Sequence, residues 1–110
     1  MPHIHINLTM ETNIINDGGT LTAVLKGRLD TLSTPDFEKS IAPLRENADK
    51  KLVLECKELE YISSSGLRVF LALLKQVKGK GGDLLLTHVN SEIRNIFSIT
   101  GFHKLFTIQD

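Results

Sequence analysis

The chain has 110 residues, of which 41% are hydrophobic and 24% are charged, so we expect one compact domain over residues 1–110 with a single core. Its 13 basic and 13 acidic residues cancel, which excludes the strong positive field of a protein that binds nucleic acid or an anionic membrane. The partners of this chain are therefore expected to be proteins or small ligands.

The N-terminal sequence Met1-Pro2-His3-Ile4-His5 has no basic region followed by a long apolar segment, so no secretory signal is predicted. The longest apolar helical run, residues 67–74, contains Arg68 and is far shorter than the roughly 20 residues that cross a bilayer. These features predict a cytoplasmic protein without membrane insertion. Cys56, which is the only cysteine, lies in an apolar run and is expected to be a buried, unreactive thiol.

The first predicted elements form a β-hairpin. Apolar and polar residues alternate over residues 4–8, which is the period of a half-buried strand. Asp17-Gly18-Gly19 is typical of a tight turn, and the alternation resumes over residues 21–29. We expect these two strands to pair antiparallel.

A first helix is predicted to follow the hairpin. Thr34 is expected to be its N-cap, with Pro35 at the first helical position. Phe37, Ile41 and Leu44 then recur at the spacing of one helical face. The sequence therefore predicts a single amphipathic helix that includes these three residues.

The remaining elements follow from their apolar period and their flanking turn residues. They are a third strand at Lys51–Cys56, a second helix from the serines at 63–65 to the glycines at 79–82, a fourth strand at Asp83–Thr87, a third helix from Ser91 to a C-cap at Gly101, and a last strand over residues 105–108. The consecutive leucines of the fourth strand indicate a parallel strand covered on both faces. The order β-β-α-β-α-β-α-β predicts an α/β fold with a mixed β-sheet and helices packed mainly on one side.

The most informative segment is Tyr61-Ile62-Ser63-Ser64-Ser65-Gly66-Leu67, which joins the third strand to the second helix. A hydroxyl at a helix N-terminus can carry a phosphate, because free backbone N–H groups and the macrodipole favour an anion there. Serines at this position also commonly cap the helix and do nothing more. From the pattern alone, both interpretations stay open.

We do not expect the chain to be an enzyme. A Ser-His-Asp hydrolase needs a turn such as Gly-x-Ser-x-Gly, and Ser63-Ser64-Ser65-Gly66 lacks the first glycine. The glycines of Gly79-Lys80-Gly81-Gly82 end a helix, whereas a phosphate-binding loop opens one. No metal or cofactor is predicted, because the four histidines are scattered through the sequence. They are His3, His5, His88 and His103.

Three segments together resemble the bacterial anti-sigma factor antagonists, which are stand-alone STAS domains (sulfate transporter and anti-sigma factor antagonist). They are residues 61–67, Gly27-Arg28-Leu29-Asp30 upstream and residues 97–102 downstream. The resemblance implies a STAS-like mixed sheet. It also implies binding to an anti-sigma factor that is a serine kinase, which frees a sigma factor for transcription. Phosphorylation by that kinase ends binding in this family, and a phosphatase restores it.

The resemblance also implies the site residues. The family serine that is phosphorylated follows the acid of an Asp-Ser-Ser/Thr-Gly motif, and it corresponds to Ser64, which we also expect to cap the helix. Asp30 matches the family acid that helps to meet the partner, although a plain turn acid is the alternative for this residue. The predicted partner-binding residues are Asp30, Ser63, Ser64, Ser65, Gly66 and Leu67.

Ser63 occupies the position of the motif acid. The missing carboxylate leaves three consequences open, namely weaker recognition by the kinase, modification of another hydroxyl, or binding without phosphorylation. In the last case the chain would be a constitutive STAS interaction module, for example the soluble subunit of a lipid-transport complex.

Overall fold

The computed structural model describes residues 10–109, within which one mixed sheet is covered by helices. The strands are β1 (Glu11–Asp17), β2 (Thr20–Leu29), β3 (Lys51–Ile62), β4 (Asp83–Thr87) and β5 (Thr107–Gln109). The helices are α1 (Thr34–Ser40), α2 (Ala42–Glu46), α3 (Ser64–Lys80) and α4 (Ser91–Thr100), with a 3₁₀ turn at Phe102–Lys104. The strands lie side by side in chain order, with β1 antiparallel to β2 and every other neighbouring pair parallel. The α/β fold class predicted from the sequence is confirmed.

The predicted hairpin turn is confirmed at Asp17-Gly18-Gly19. Both glycines have a positive φ, of 60° and 91°, which a residue without a Cβ adopts most easily. The strand that enters the turn is β1 at Glu11–Asp17, whereas the strand predicted over residues 4–8 lies outside the described residues. β1 carries a weak sequence signal because it is an edge strand, where Ile14 packs against the core while its neighbour Ile15 is exposed.

The first helix differs from the prediction in two ways. Its N-cap is Ser33, and Thr34 is already helical. The helix is also broken at Ile41, where α1 ends and α2 begins. Pro43 explains the break, because it has no N–H to bond the carbonyl four residues earlier and its ring would clash there. The apolar residues chosen from the sequence are nevertheless buried.

β3 is longer than the predicted Lys51–Cys56 and continues to Ile62. The register between β2 and β3 shifts twice, between Val24 and Lys26 and between Gly27 and Arg28. At each shift β3 contains one extra residue, so its buried positions are separated by three instead of two. This irregular spacing hid the second half of the strand, because sequence reasoning relies on a strict period of two.

The elements after β3 follow the prediction closely. α3 ends at the left-handed Gly81 and α4 ends at the left-handed Gly101. The bounds of β4 match, but the prediction that it is covered on both faces is wrong, because Leu85 is only half-buried. Only the other face of β4 meets the helices.

The core lies between the helices and one face of the sheet. The paired residues Ala23, Leu54 and Leu86 of the three central strands are all buried. Phenylalanines of different helices meet above them, with ring centroids 5.9 Å apart for Phe37 and Phe70 and 6.4 Å apart for Phe70 and Phe97. The helices therefore cover one side of the sheet. This layer fixes α1 and α3 beside the carboxyl ends of β2 and β3.

Cys56 is buried, and its burial raises the pKa of the thiol to about 12, so it stays protonated. No helix within residues 10–109 has the length and apolar character to span a membrane.

Candidate functional site

Two loops meet where β2 and β3 end. Leu29 pairs with Ile62 in the last rung of the two parallel strands, and the Ser63 N–H donates to the Leu29 carbonyl at 2.8 Å. Asp30 directly follows β2, and Ser63 directly follows β3. The register of the sheet therefore brings the predicted acid and the predicted serines to one edge.

Asp30 organises the loop between β2 and α1. Its Oδ1 accepts hydrogen bonds from the Ser33 N–H at 3.0 Å and from the Leu32 N–H at 3.1 Å. The Ser33 hydroxyl accepts from the Asp30 N–H at 3.0 Å, and its proton lies between the Arg28 carbonyl at 2.8 Å and the Asp30 Oδ1 at 3.2 Å. These hydrogen bonds close a tight turn. The alternative predicted for Asp30, that of a turn acid, describes this geometry.

The pKa of the Asp30 carboxyl is lowered from its usual value. The largest cause is the hydrogen bond from the Ser33 N–H, and the Ser33 hydroxyl, the Leu32 N–H and the positive charge of Arg28 act in the same direction, whereas partial burial opposes them. The carboxylate is therefore ionised at neutral pH and adds a negative charge to this edge of the sheet.

A chain of hydroxyls joins this loop to the start of α3. The Ser63 and Ser65 oxygens are 2.8 Å apart, and those of Ser65 and Thr34 are 3.2 Å apart. The Thr34 hydroxyl donates its only proton to the Asp30 carbonyl at 2.6 Å, so it must accept from Ser65. Ser65 must in turn accept from Ser63. The protons of Ser63 and Ser65 are thus both committed.

Ser63 is the N-cap of α3. Its backbone is extended, with φ −87° and ψ 173°, and its Oγ accepts from the Gly66 N–H at 3.3 Å. The prediction that Ser64 caps the helix is wrong, because Ser64 is the first helical residue and so follows the N-cap position. Ser64 is exposed, and no hydrogen bond of the described residues involves its hydroxyl.

Gly66 and Leu67 lie in the core below the serines. A Cβ on Gly66 would approach Leu29 Cγ to 2.7 Å and Ile62 Cγ1 to 2.9 Å, so only glycine fits without displacing its neighbours. Leu67 is also buried. These two residues hold the first turn of α3 against the strand ends, while Ser64 is exposed above them.

The backbone at the start of α3 favours an anion, while the Asp30 carboxylate at the same edge of the sheet opposes one. The first turn of α3 contains no acidic residue, and the free N–H groups of a helix start attract negative charge. Arg68 is exposed one turn further along α3, at the spacing where side chains of a helix meet. Within residues 10–109 no group of three or more His, Cys, Asp or Glu side chains could hold a metal ion. The group that this site offers for chemistry is an accessible hydroxyl, that of Ser64, at the start of a helix.

Residues 11–110, which include all of this site, match the family model of the STAS domain. The chain belongs to the STAS domain family. This membership confirms the resemblance derived from the three sequence segments.

Two relatives of this STAS domain are bacterial proteins with related names. The anti-sigma-B factor antagonist of Bacillus subtilis is 34% identical over 85 residues, which are 76% of each chain. BtrV of Bordetella bronchiseptica, which carries the same kind of name, is 33% identical over 90 residues, or 82% of this chain and 78% of its own.

Solved structures share the STAS fold. The anti-sigma factor antagonist SpoIIAA in its unphosphorylated form has a TM-score of 0.69 at 16% identity, covering 91% of this chain and 88% of its own. SpoIIAA of Bacillus in the phosphorylated form has a TM-score of 0.67 at the same identity, covering 91% and 92%. At this identity the likeness shows the fold.

Two residues of the site were missed in the sequence. Ser33 and Thr34 hold the loop after β2, and Thr34 carries the hydroxyl chain across to Ser65. The spacing Asp30-x-x-Ser33 was a usable signal, since an Asp followed three residues later by an N-cap is typical of a side-chain-closed turn. The contact between Thr34 and Ser65 spans 31 residues and has no local signal.

Proposed function

We propose that this protein is an anti-sigma factor antagonist that binds an anti-sigma factor with serine kinase activity and is released from it when Ser64 is phosphorylated. The names of its relatives and the two forms of SpoIIAA support this role. In this role the protein acts in the cytoplasm, beside the transcription machinery. It frees a sigma factor by binding the kinase. A phosphatase then returns the phosphorylated protein to the form that binds.

The observation that carries the assignment to Ser64 is that the three serines differ in burial and in hydrogen bonding. Ser63 and Ser65 are half-buried and donate their protons within the hydroxyl chain. A phosphate on either would break that chain and need space inside the loop contact. Ser64 is exposed and uncommitted, so its hydroxyl can enter a kinase active site without any rearrangement of the fold.

The same geometry explains how a phosphate ends binding without unfolding the protein. A phosphoserine adds about −1.5 to −2 charge, which the N-terminus of α3 tolerates and a closely packed interface does not. A penalty of about 3 kcal/mol on association weakens binding more than about a hundredfold. The effect therefore acts on association, while the stability of the domain changes little.

Ser63 in place of the motif acid fits this mechanism. Its hydroxyl performs the capping bond to Gly66 that a carboxylate would also make, so the backbone of the motif is retained. The neutral side chain leaves less negative charge beside Ser64. A kinase that recognises this chain is therefore expected to read the loop and the helix start, without requiring an acid at position 63.

The test is a tagged pull-down from an extract of the source organism, run without and with ATP and followed by mass spectrometry of the bait and of the captured proteins. We expect capture of a serine kinase without ATP, and phosphate on Ser64 with loss of the kinase with ATP. Ser64→Ala should lack the phosphate and keep the kinase in both conditions. Ser91→Ala is the matched control, since Ser91 is also an exposed first residue of a helix. Phosphate only on Ser63 or Ser65 contradicts the assignment. Binding with no phosphate on any serine favours the constitutive interaction module.

A further inference from the structure

Leu32 is the large apolar side chain of residues 10–109 that is most exposed to solvent. It is 90% exposed, compared with 78% for Ile99 and 52% for Ile15. A leucine in this state loses the favourable transfer of its side chain out of water, which burial in a partner would restore. Leu32 lies in the loop between β2 and α1, two residues after Asp30.

The backbone around Leu32 is held on both sides. The Leu32 N–H donates to the Asp30 carboxylate, and so does the N–H of Ser33. The Thr34 N–H donates to the Asp30 carbonyl at 3.0 Å. Because the loop is already ordered, a partner that covers Leu32 gains the burial of its side chain at little cost in backbone entropy.

This loop is also tied to the start of α3. Thr34, two residues after Leu32, contacts the Ser65 hydroxyl at 3.2 Å, and Ser65 is the neighbour of Ser64 in the first turn. The loop and the first turn of α3 are therefore held together at the same edge of the sheet. A protein that reaches the Ser64 hydroxyl meets the loop beside it.

We propose that Leu32 is the apolar anchor of this protein, which inserts into an apolar depression on the serine kinase that phosphorylates Ser64. The inference rests on the proposed function and names the contact by which the kinase recognises this chain. The anchor also explains how phosphorylation weakens binding. A phosphate on Ser64 stays hydrated, and this opposes the removal of water that burial of Leu32 requires.

The test measures the affinity of the unphosphorylated protein for the kinase that the pull-down identifies, purified and without ATP. We expect Leu32→Ala to weaken binding by about 30-fold, the loss typical of a buried interface anchor. Leu32→Met is expected to restore most of the affinity, because it keeps the apolar volume. The melting temperature should not change, since the Leu32 side chain touches solvent in the free protein.

Ile99→Ala is the matched control, because Ile99 is also largely exposed but lies in the last turn of α4. It is expected to bind the kinase as tightly as the unmodified sequence. Two results overturn the anchor alone: Leu32→Ala binding within twofold of the original while phosphorylation of Ser64 still releases the kinase, or equal losses for Leu32→Ala and Ile99→Ala. Failure to capture any kinase that phosphorylates Ser64 overturns the proposed function, and the anchor with it.

Discussion

Helices α3 and α4 begin in the same way. Each follows a parallel strand, and each is capped by a polar side chain on extended backbone, Ser63 and Asn90, which accepts the N–H of the third helical residue at 3.3 and 3.0 Å. Each also has an exposed serine as its first helical residue, Ser64 and Ser91. By the criterion of a hydroxyl at a helix start, the molecule has two candidate phosphorylation sites.

The surroundings of the two serines differ in charge and in packing. Glu92 lies in the first turn of α4, and Glu60 lines the same hollow as Ser91, so a phosphate there would meet two carboxylates. The first turn of α3 has no acid, and the carboxylate at the same edge of the sheet is that of Asp30, which is held by the loop before α1. The third residue of α3, Gly66, packs closely against the strand ends. A helix start becomes a phosphorylation switch through its neighbours, so equivalent substitutions at the two starts are expected to have different effects.

The largest effect on stability is expected from Gly66→Ala. The new Cβ would meet Leu29 and Ile62 at less than 3.0 Å, and such overpacking destabilises by about 1–3 kcal/mol. Gly79→Ala is the matched control in the same helix, because nothing lies within 4 Å of its Cβ position; it should stabilise by about 0.5–1 kcal/mol. Urea denaturation measures both. Equal effects of the two substitutions would show that the start of α3 is not closely packed.

The two caps are expected to differ in strength. Ser63→Ala should cost about 1 kcal/mol, the usual value of a lost N-cap. Asn90→Ala should cost more, about 1–3 kcal/mol, because Asn90 Nδ2 also donates to the Leu59 carbonyl at 2.6 Å. Chemical denaturation of the two variants tests this order. A larger loss for Ser63→Ala would mean that the hydroxyl chain to Thr34 is worth more than the Asn90 contact.

Asp30 holds the loop before α1, which contacts the start of α3 through Thr34 and Ser65, and its carboxylate gives this loop a dependence on pH. Its folded pKa lies below the ordinary value of 3.8, so its stabilising effect is present above that value and is lost as the pH falls through the folded pKa. We expect the difference in unfolding free energy between the original protein and Asp30→Asn to be constant near pH 7 and to shrink in acid. A difference that grows with acid would contradict the hydrogen bonding of this carboxylate.

The smallest effects on stability are expected at the exposed serines themselves. Ser64→Ala and Ser91→Ala should each change the unfolding free energy by less than about 0.5 kcal/mol, as is usual at exposed positions without a cap. The two variants should differ only in modification, since Ser64→Ala removes the phosphate that the kinase adds. Phosphopeptide mapping checks this. Phosphate on Ser91 would show that the nearby carboxylates do not exclude it.

Much of the fold was readable from the sequence because its signals are local. The bounds of β4, the start of α4 at Ser91 and its C-cap at Gly101 follow from residue types a few positions apart. The predicted third strand is shorter than β3, because the two extra residues of β3 break the period of two. The break at Ile41 was missed because the apolar face continues across Pro43 into the next helix.

The site was predictable in position but not in detail. Three adjacent serines look alike in a sequence, and only the extended backbone of Ser63 identifies it as the cap. The contact between Thr34 and Ser65 depends on the pairing of distant strands. The exposure of Leu32 depends on the turn that Asp30 closes, so a leucine that composition alone would assign to the core lies in solvent.

The most direct measurement compares the affinity of the purified kinase for two forms of this protein, one unmodified and one carrying a single phosphate on Ser64. We expect the phosphorylated form to bind more than about a hundredfold more weakly, with both forms melting at nearly the same temperature. Equal affinity of the two folded forms would show that the Ser64 hydroxyl does not control association.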